Sequence, residues 1–177
     1  MKYKLILADP PWSYKDKSGR DYKHGAAEKY DTMSLEDICN MPIQDIADKD
    51  CALFMWATTP LLPEAFKVLE AWGFKYKTTI YWRKIMSLGM GYWFRGQVEV
   101  CLVAIKGNVK AFRSQRPNFI ETKARKHSQK PDQLYGLIEE LEISPKIELF
   151  ARERREGWDA WGNELPKTTQ TLLEVAT

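Results

Sequence analysis

Short apolar runs alternate along this chain with longer amphipathic segments. The apolar runs predict β-strands at residues 3–8, 51–57, 76–82, 98–105, 118–122 and 146–150. Each run has the length of a strand and is bounded on at least one side by Pro, Asp, Lys or Arg. Strands that alternate with helical segments are typical of an α/β sheet with helices on its faces. The pattern therefore predicts an α/β fold in a single domain.

Three segments between these strands carry signals for helices. Ser34 is placed to cap a short helix over Leu35–Cys39, and Pro63 lies in the first turn of a helix that Gly73 ends. Another helix begins at Pro131-Asp132 and continues with apolar residues at helical spacing. Serine before a helix, proline in its first turn and glycine after its end each satisfy a local backbone requirement.

The four residues Asp9-Pro10-Pro11-Trp12 directly follow the first strand. Each proline holds its own φ at about −65° and restricts the residue before it, so the loop is stiff. It presents a carboxylate and backbone carbonyls as hydrogen-bond acceptors, and Trp12 adds a flat face on which a base could stack. Such a loop suits an exocyclic NH2 group of a nucleobase. The alternative is a simple turn that ends a strand, with the tryptophan in the core.

Three connections, at 13–31, 83–97 and 106–130, are long and polar. Long connections in a compact domain are usually functional. The second combines glycines with Tyr92, Trp93 and Phe94, which favours bending and stacking. The third has eight Lys or Arg residues against one acid, Glu121. We interpret it as a contact for nucleic-acid phosphates, with a solvated basic face as the alternative. Its candidate substrate-binding residues are Lys110, Arg113, Arg116 and Arg125.

Composition narrows the class of protein. Hydrophobic residues make up 44% of the 177 residues, aromatic residues 12%, and the net charge is only +3. No apolar run has the length of a membrane span, and no secretory segment is visible, which predicts a cytoplasmic protein without membrane contact. The three cysteines favour free thiols over disulfides. The two histidines are too few for a convincing metal cluster.

An ordered series of motifs resembles the MT-A family, whose namesake is the seventy-kilodalton subunit of messenger-RNA N6-adenosine methyltransferase. The matching segments are Asp9 to Trp12, Trp82, Glu99 to Asn108, His127 to Asp132, Lys146 to Arg152 and Gly162 to Glu164. The resemblance covers residues 3–165 and leaves 166–177 as a C-terminal tail. It implies a Rossmann-like, S-adenosylmethionine-dependent methyltransferase acting on adenine N6 in DNA or RNA. The acceptor loop precedes the cofactor strand, an order that resembles the circularly permuted classes of aminomethyltransferases.

The glycine-rich loop of many nucleotide-binding folds is absent here, so the residues alone do not locate a cofactor site. The same resemblance implies where that site lies. The family's cofactor-binding positions correspond to Lys130, Arg152 and Asn163, to which we add Asp9. Glu164 stands where some members carry glutamine, and either side chain can accept from ribose hydroxyls. Arg154 and Arg155 replace a pair that is usual in the family, and we count Arg154 among the cofactor candidates.

The chemistry of methylation at adenine N6 suggests a role for the acceptor loop. Adenine N6 is a weak nucleophile because its lone pair is delocalised into the ring. Hydrogen bonds from its two N–H groups to Asp9 and the Pro10 carbonyl would favour a tetrahedral nitrogen. With an ordinary pKa of about 3.9, Asp9 would be ionised and would act by preorganised electrostatics. Tyr30, Trp82 and Glu99 either line the substrate cleft or are structural.

Two other functions stay open from the sequence. A non-catalytic nucleic-acid-binding subunit of a methyltransferase complex would share this fold, and a cytosine-N4 methyltransferase would share the acceptor chemistry. We expect a nucleic-acid partner, with DNA favoured over RNA because single-domain members of prokaryotic size often act on DNA. A homodimer or heterodimer would complete target recognition.

Overall fold

The computed structural model describes residues 1–13, 32–85, 93–113, 115–123, 129–165 and 172. Seven strands and four α-helices lie in these segments. The strands are β1 (Tyr3–Ala8), β2 (Ala47–Thr58), β3 (Lys75–Ile85), β4 (Val98–Lys106), β5 (Phe119–Lys123), β6 (Lys146–Leu149) and β7 (Asp159–Trp161). The helices are α1 (Leu35–Cys39), α2 (Ile43–Ile46), α3 (Leu62–Ala71) and α4 (Asp132–Glu139), and a 3-10 turn at Thr59–Leu61 precedes α3.

The seven strands form one sheet in the order β5-β3-β4-β2-β1-β6-β7. Only β4 is antiparallel to its neighbours β2 and β3; the other pairs are parallel. One edge of the sheet therefore collects the carboxyl ends of six strands and the amino end of β4. The chain continues from β1 towards β2 and from β6 towards β7, on opposite sides. Ligands of open α/β sheets bind at such a reversal, beyond the carboxyl ends of the strands.

Both faces of the sheet are covered. One face packs against α1, α2 and α3 and buries Ile38, Val68 and Trp72, whereas α4 covers the other face with Leu134 and Ile138. Within β1, Ile6 and Ala8 belong to the first core and Leu5 and Leu7 to the second. A strand buried on both sides reads as a nearly continuous apolar run, which explains why β1 is clear in the sequence.

The structure confirms the α/β fold and places a strand at each of the six predicted runs. Ser34 caps α1 through a 3.0 Å hydrogen bond from the Asp37 N–H, and Gly73 ends α3 with a φ of +79°. β3 continues to Ile85 and so includes the start of the predicted 83–97 connection. The sequence pattern missed α2 and β7, because elements of four and three residues are too short to show a periodicity. Among the described residues, no helix is long and apolar enough to cross a bilayer.

Gly162, directly after β7, generates a stability prediction. A Cβ atom there would lie 2.3 Å from the Ala151 carbonyl oxygen and 2.6 Å from the Ala151 nitrogen. Both neighbours are backbone atoms, which cannot rotate out of contact as a side chain could. We expect Gly162→Ala to lower the free energy of unfolding by about 3 kcal/mol, measured by urea denaturation.

Gly136, inside α4, provides the matched control. A Cβ atom at this position meets nothing within 4 Å. Because alanine favours a helix more than glycine does, Gly136→Ala should raise the unfolding free energy by about 0.5–1 kcal/mol. Equal stability of the two variants would contradict the close approach of Gly162 to the backbone at Ala151.

Candidate active site

The acceptor loop leaves the carboxyl end of β1 in a conformation held by three hydrogen bonds. The Trp12 N–H donates to the Pro10 carbonyl over 2.8 Å, and the Met33 N–H donates to the Pro11 carbonyl over 2.9 Å. The indole N–H of Trp12 donates to the Trp56 carbonyl of β2 over 3.1 Å. Trp12 is only 8% exposed. The ring that we expected to stack on a base is thus packed in the core, where it anchors the loop.

Lys130 connects two carboxylates that are far apart in the sequence. Its Nζ lies 3.0 Å from Asp9 Oδ1 and 3.1 Å from Glu99 Oε2. All three side chains are mostly buried, at 13% exposure for Lys130, 24% for Asp9 and 16% for Glu99. The same Nζ lies 5.4 Å from the centre of the Trp56 ring, within cation–π range. Lys130 therefore links the carboxyl end of β1 to the amino end of β4, across the end of β2 that lies between them.

Lys84 extends this network to β3. Its ammonium pairs with Glu99 and lies 4.9 Å from the centre of the Trp82 ring. Trp82 is 2% exposed, donates its indole N–H to Thr122 over 2.8 Å and meets Trp56 edge to face. Of the two roles considered for Trp82, the buried position favours the structural one. Glu99, in contrast, lies between two lysines at the edge that collects the carboxyl ends of six strands and the amino end of β4, which we name the catalytic edge.

The charges control one another's protonation. Burial raises the pKa of Asp9, while Lys130 acts in the opposite direction. The ordinary pKa assumed for Asp9 from the sequence is therefore corrected, and the adjacent ammonium is what favours its ionised form. Burial also opposes ionisation of Glu99, but Lys130 and Lys84 outweigh it and lower the pKa of Glu99. For Lys130, burial is outweighed by Asp9 and Glu99, which raise its pKa.

The segments after β6 and β7 lie beside Asp9 because β6 pairs with β1. The Ala151 N–H donates to the Trp161 carbonyl over 3.0 Å, and Gly162 lets the two segments approach. Arg152 Nε lies 3.3 Å from Glu164 Oε1, and Asn163 is exposed at the same rim. The structure thus brings together Asp9, Lys130, Arg152, Asn163 and Glu164 along one edge.

Arg154 and Arg155 occupy the positions that depart from the family pattern. Arg155 stacks on the Tyr135 ring with its guanidinium carbon 3.8 Å from the ring centre, and it pairs with Asp132 at 3.0 Å and Glu153 at 2.7 Å. It therefore joins the segment after β6 to the start of α4. Arg154 is exposed.

The described residues of the basic connection divide between the surface and the site, where Lys130 is mostly buried beside Asp9. Lys110, Arg113 and Arg116 are exposed, and Arg116 forms a two-point ion pair with Glu140 at 3.1 and 3.0 Å. Arg125 and Tyr30 lie outside the described residues. Sequence reasoning missed Lys84 and Trp56, which contact the central charges. Only their places at the ends of two apolar runs could have suggested a position at the catalytic edge.

Comparison with known proteins agrees with the motifs. The family model described as MT-A70 matches residues 3–164. The type II methyltransferase M.MunI of a Mycoplasma species is 34% identical over 99% of this chain and 82% of its own length. The N(6)-adenosine-methyltransferase catalytic subunit METTL3 of Homo sapiens is 30% identical over 93% of this chain. The N(6)-adenosine-methyltransferase MT-A70-like protein of Arabidopsis thaliana is 30% identical over 91% of it. The chain spans 28% and 23% of the length of these last two relatives.

The ionisation of Glu99 yields a prediction about pH. Its pKa is lowered in the folded state, so ionised Glu99 stabilises the fold above the unfolded pKa of about 4.3. That contribution is lost as the pH falls through the folded pKa. We expect the unfolding free energy of the wild type minus that of Glu99→Gln to be constant above about pH 5 and to shrink below about pH 4.

Glu121→Gln is the control for this titration, measured by chemical denaturation at each pH. Glu121 is 41% exposed and pairs with Arg83 on the surface. Exposed pairs contribute little, so this variant should stay within about 0.5 kcal/mol of the wild type throughout. A Glu99→Gln difference that does not change with pH would show that the carboxylate is not held ionised by its lysines.

Proposed function

This chain belongs to the MT-A70 family and is an N6-adenine methyltransferase, and we propose that its substrate is adenine in DNA. The observation that carries the proposal is the Asp9 carboxylate at the reversal point of the sheet, held in a rigid loop beside Lys130. DNA is supported by the similarity to the type II methyltransferase, which is 34% identical over 99% of this chain and 82% of its own length. RNA is the alternative, which the relatives named as N(6)-adenosine methyltransferases favour.

Asp9 and Pro10 are the groups that we assign to the exocyclic amine. Lys130 engages Asp9 Oδ1, and we assign Oδ2 to one N–H of adenine N6. The Pro10 carbonyl accepts from Trp12, and a carbonyl oxygen can accept a second hydrogen bond, here from the other N–H. Two acceptors on one nitrogen favour its tetrahedral form, which directs the lone pair outwards. The carboxylate form of Asp9, which Lys130 favours against burial, stabilises the positive charge that develops on N6, and the proton leaves afterwards to solvent.

The residues at this edge fit S-adenosylmethionine by the chemistry of their donor groups. The ammonium of Lys130 suits a carboxylate, and Asn163 and Glu164 suit the two hydroxyls of a ribose. Arg152, tied to Glu164, lies at the same rim. Arg154 is exposed nearby and remains a candidate for the same site. When bound, this cofactor supplies an electrophilic methyl group on a sulfonium.

The two alternative functions predict different products. A non-catalytic subunit would not need the intact acceptor loop and its buried lysine, and a cytosine-N4 methyltransferase would use the same loop for a smaller base. The purified protein should be incubated with S-adenosylmethionine and either DNA or RNA, followed by nucleoside mass spectrometry. N6-methyldeoxyadenosine supports the proposal. N6-methyladenosine alone would show that the substrate is RNA, and N4-methyldeoxycytidine would show that the base is cytosine. The absence of any methylated product would favour the non-catalytic subunit.

We expect Asp9→Asn to lower the rate of methyl transfer by at least about a thousandfold, because an amide lacks the charge that stabilises the developing cation. Circular dichroism and oligonucleotide binding should stay close to those of the wild type, since the amide has the same shape. The rate is measured by transfer of a tritiated methyl group. Turnover near that of the wild type would exclude the assigned role of Asp9.

Asn163→Ala tests the cofactor site separately from the substrate site. It should weaken S-adenosylmethionine binding, measured by calorimetry, by about tenfold through the loss of a hydrogen-bonding amide. Oligonucleotide binding should change less. Asn108→Ala is the matched control, because Asn108 is exposed just after β4, at the opposite edge of the sheet. Equal cofactor affinity in both variants would move the ribose site away from β7.

A further inference from the structure

Two adjacent aromatic side chains project into solvent between β3 and β4. Trp93 is 93% exposed and Phe94 is 90% exposed. In the described part of the chain, about half of the surface of each other exposed aromatic residue is covered. Phe119 is 50% exposed and Phe66 is 42% exposed. Exposing two large apolar rings to water is unfavourable, so a neighbouring pair of this kind marks a contact surface.

The pair lies at the catalytic edge of the sheet. The Lys84 N–H donates to the Gln97 carbonyl over 2.8 Å, which continues the β3–β4 ladder just beyond the Lys84–Glu99 ion pair. Phe94 precedes Glu99 by five residues. Five extended residues reach at most about 17 Å, which limits the distance between the aromatic pair and the central charges.

The charges around this edge indicate a polyanionic occupant. Arg95 follows the aromatic pair, and Lys123 ends β5 opposite Ile85 of β3. Arg83 lies two residues before Ile85 and shares its charge with Glu121 at 2.6 Å. Aromatic rings bordered by cations match the stacked bases and phosphates of a nucleic acid.

The position of Asp9 explains why an exposed aromatic pair would be needed here. In a duplex, one N–H of adenine N6 is bound to the paired base and the other lies in the groove. The acceptor loop needs both, so the adenine must leave its stack. Unstacking is costly, and proteins that distort DNA commonly insert an apolar side chain into the gap.

We propose that Trp93 and Phe94 form a wedge that enters the base stack of duplex DNA next to the target adenine and keeps that base extruded. The proposal rests on the proposed function, namely methylation of adenine in DNA. Trp93 and Phe94 are therefore positioning residues for the substrate, and the chemistry stays with Asp9.

The test compares three substrates of one sequence that the wild type methylates: a duplex, its single strand, and a duplex with an abasic site opposite the target adenine. In the double variant Trp93→Ala/Phe94→Ala, kcat/KM on the duplex should fall by at least about tenfold, as loss of one stacked ring predicts. On the single strand it should fall much less. The abasic duplex should restore most of the lost rate, because its target base is already unpaired.

A second readout follows the base directly. With 2-aminopurine at the target position, the wild type should raise the fluorescence of the duplex and the double variant should not. Trp93→Phe should retain most of the signal, since a ring remains. Phe66→Ala is the matched control, because Phe66 lies on α3 against Tyr76, 5.3 Å between ring centres, away from the catalytic edge.

The outcomes separate the wedge from the function on which it rests. Equal losses on the duplex, the single strand and the abasic duplex would overturn the wedge and indicate a general binding surface. A normal rate combined with a changed oligomeric state would also overturn it, in favour of a protein interface. Methylation of single strands only would remove the need for a wedge. If the wild type methylates no DNA, the proposed function fails and the wedge with it.

Discussion

The ammonium of Lys130, placed between Asp9 and Glu99, is the interaction on which the rest of the site depends. Two mostly buried carboxylates so close together would repel each other and lose their ionised forms. One cation within about 3 Å of both offsets that repulsion and favours the ionised form of each, while burial still raises the pKa of Asp9. It also ties β1 to β4 across β2, with the Trp56 ring beside it. Without Lys130, the Asp9 carboxyl group of the rigid acceptor loop would be protonated more readily.

The direction of β4 makes the arrangement possible. In a wholly parallel sheet, a residue at the start of a strand lies at the edge opposite the carboxyl ends. Because β4 runs antiparallel to β2 and β3, its second residue, Glu99, reaches the same edge as Asp9. Lys84 reaches it from the end of β3. Reversing one strand thus adds an acid to an edge that otherwise receives only carboxyl-terminal segments.

Strand order brings together segments that are distant along the chain. Asp9 follows the first strand, whereas Arg152 and Asn163 follow the last two, and β6 pairs directly with β1. The chain leaves β1 and β6 in opposite directions, and ligands of open α/β sheets bind at such a reversal. In the proposed function, the methyl acceptor and the methyl donor bind on the two sides of this reversal.

By itself, the sequence determined the strand positions, the stiff acceptor loop and the family, because each depends on local patterns of apolar residues, prolines and short motifs. Only the tertiary structure decided that Trp12 and Trp82 are buried, since a flat ring beside a loop reads the same whether it faces solvent or core. It also decided that Lys84 and Trp56 contact the central charges and that Arg155 stacks on α4. These contacts join residues on different strands, and the neighbours of a side chain across a sheet are set by strand order and register, which no local pattern encodes.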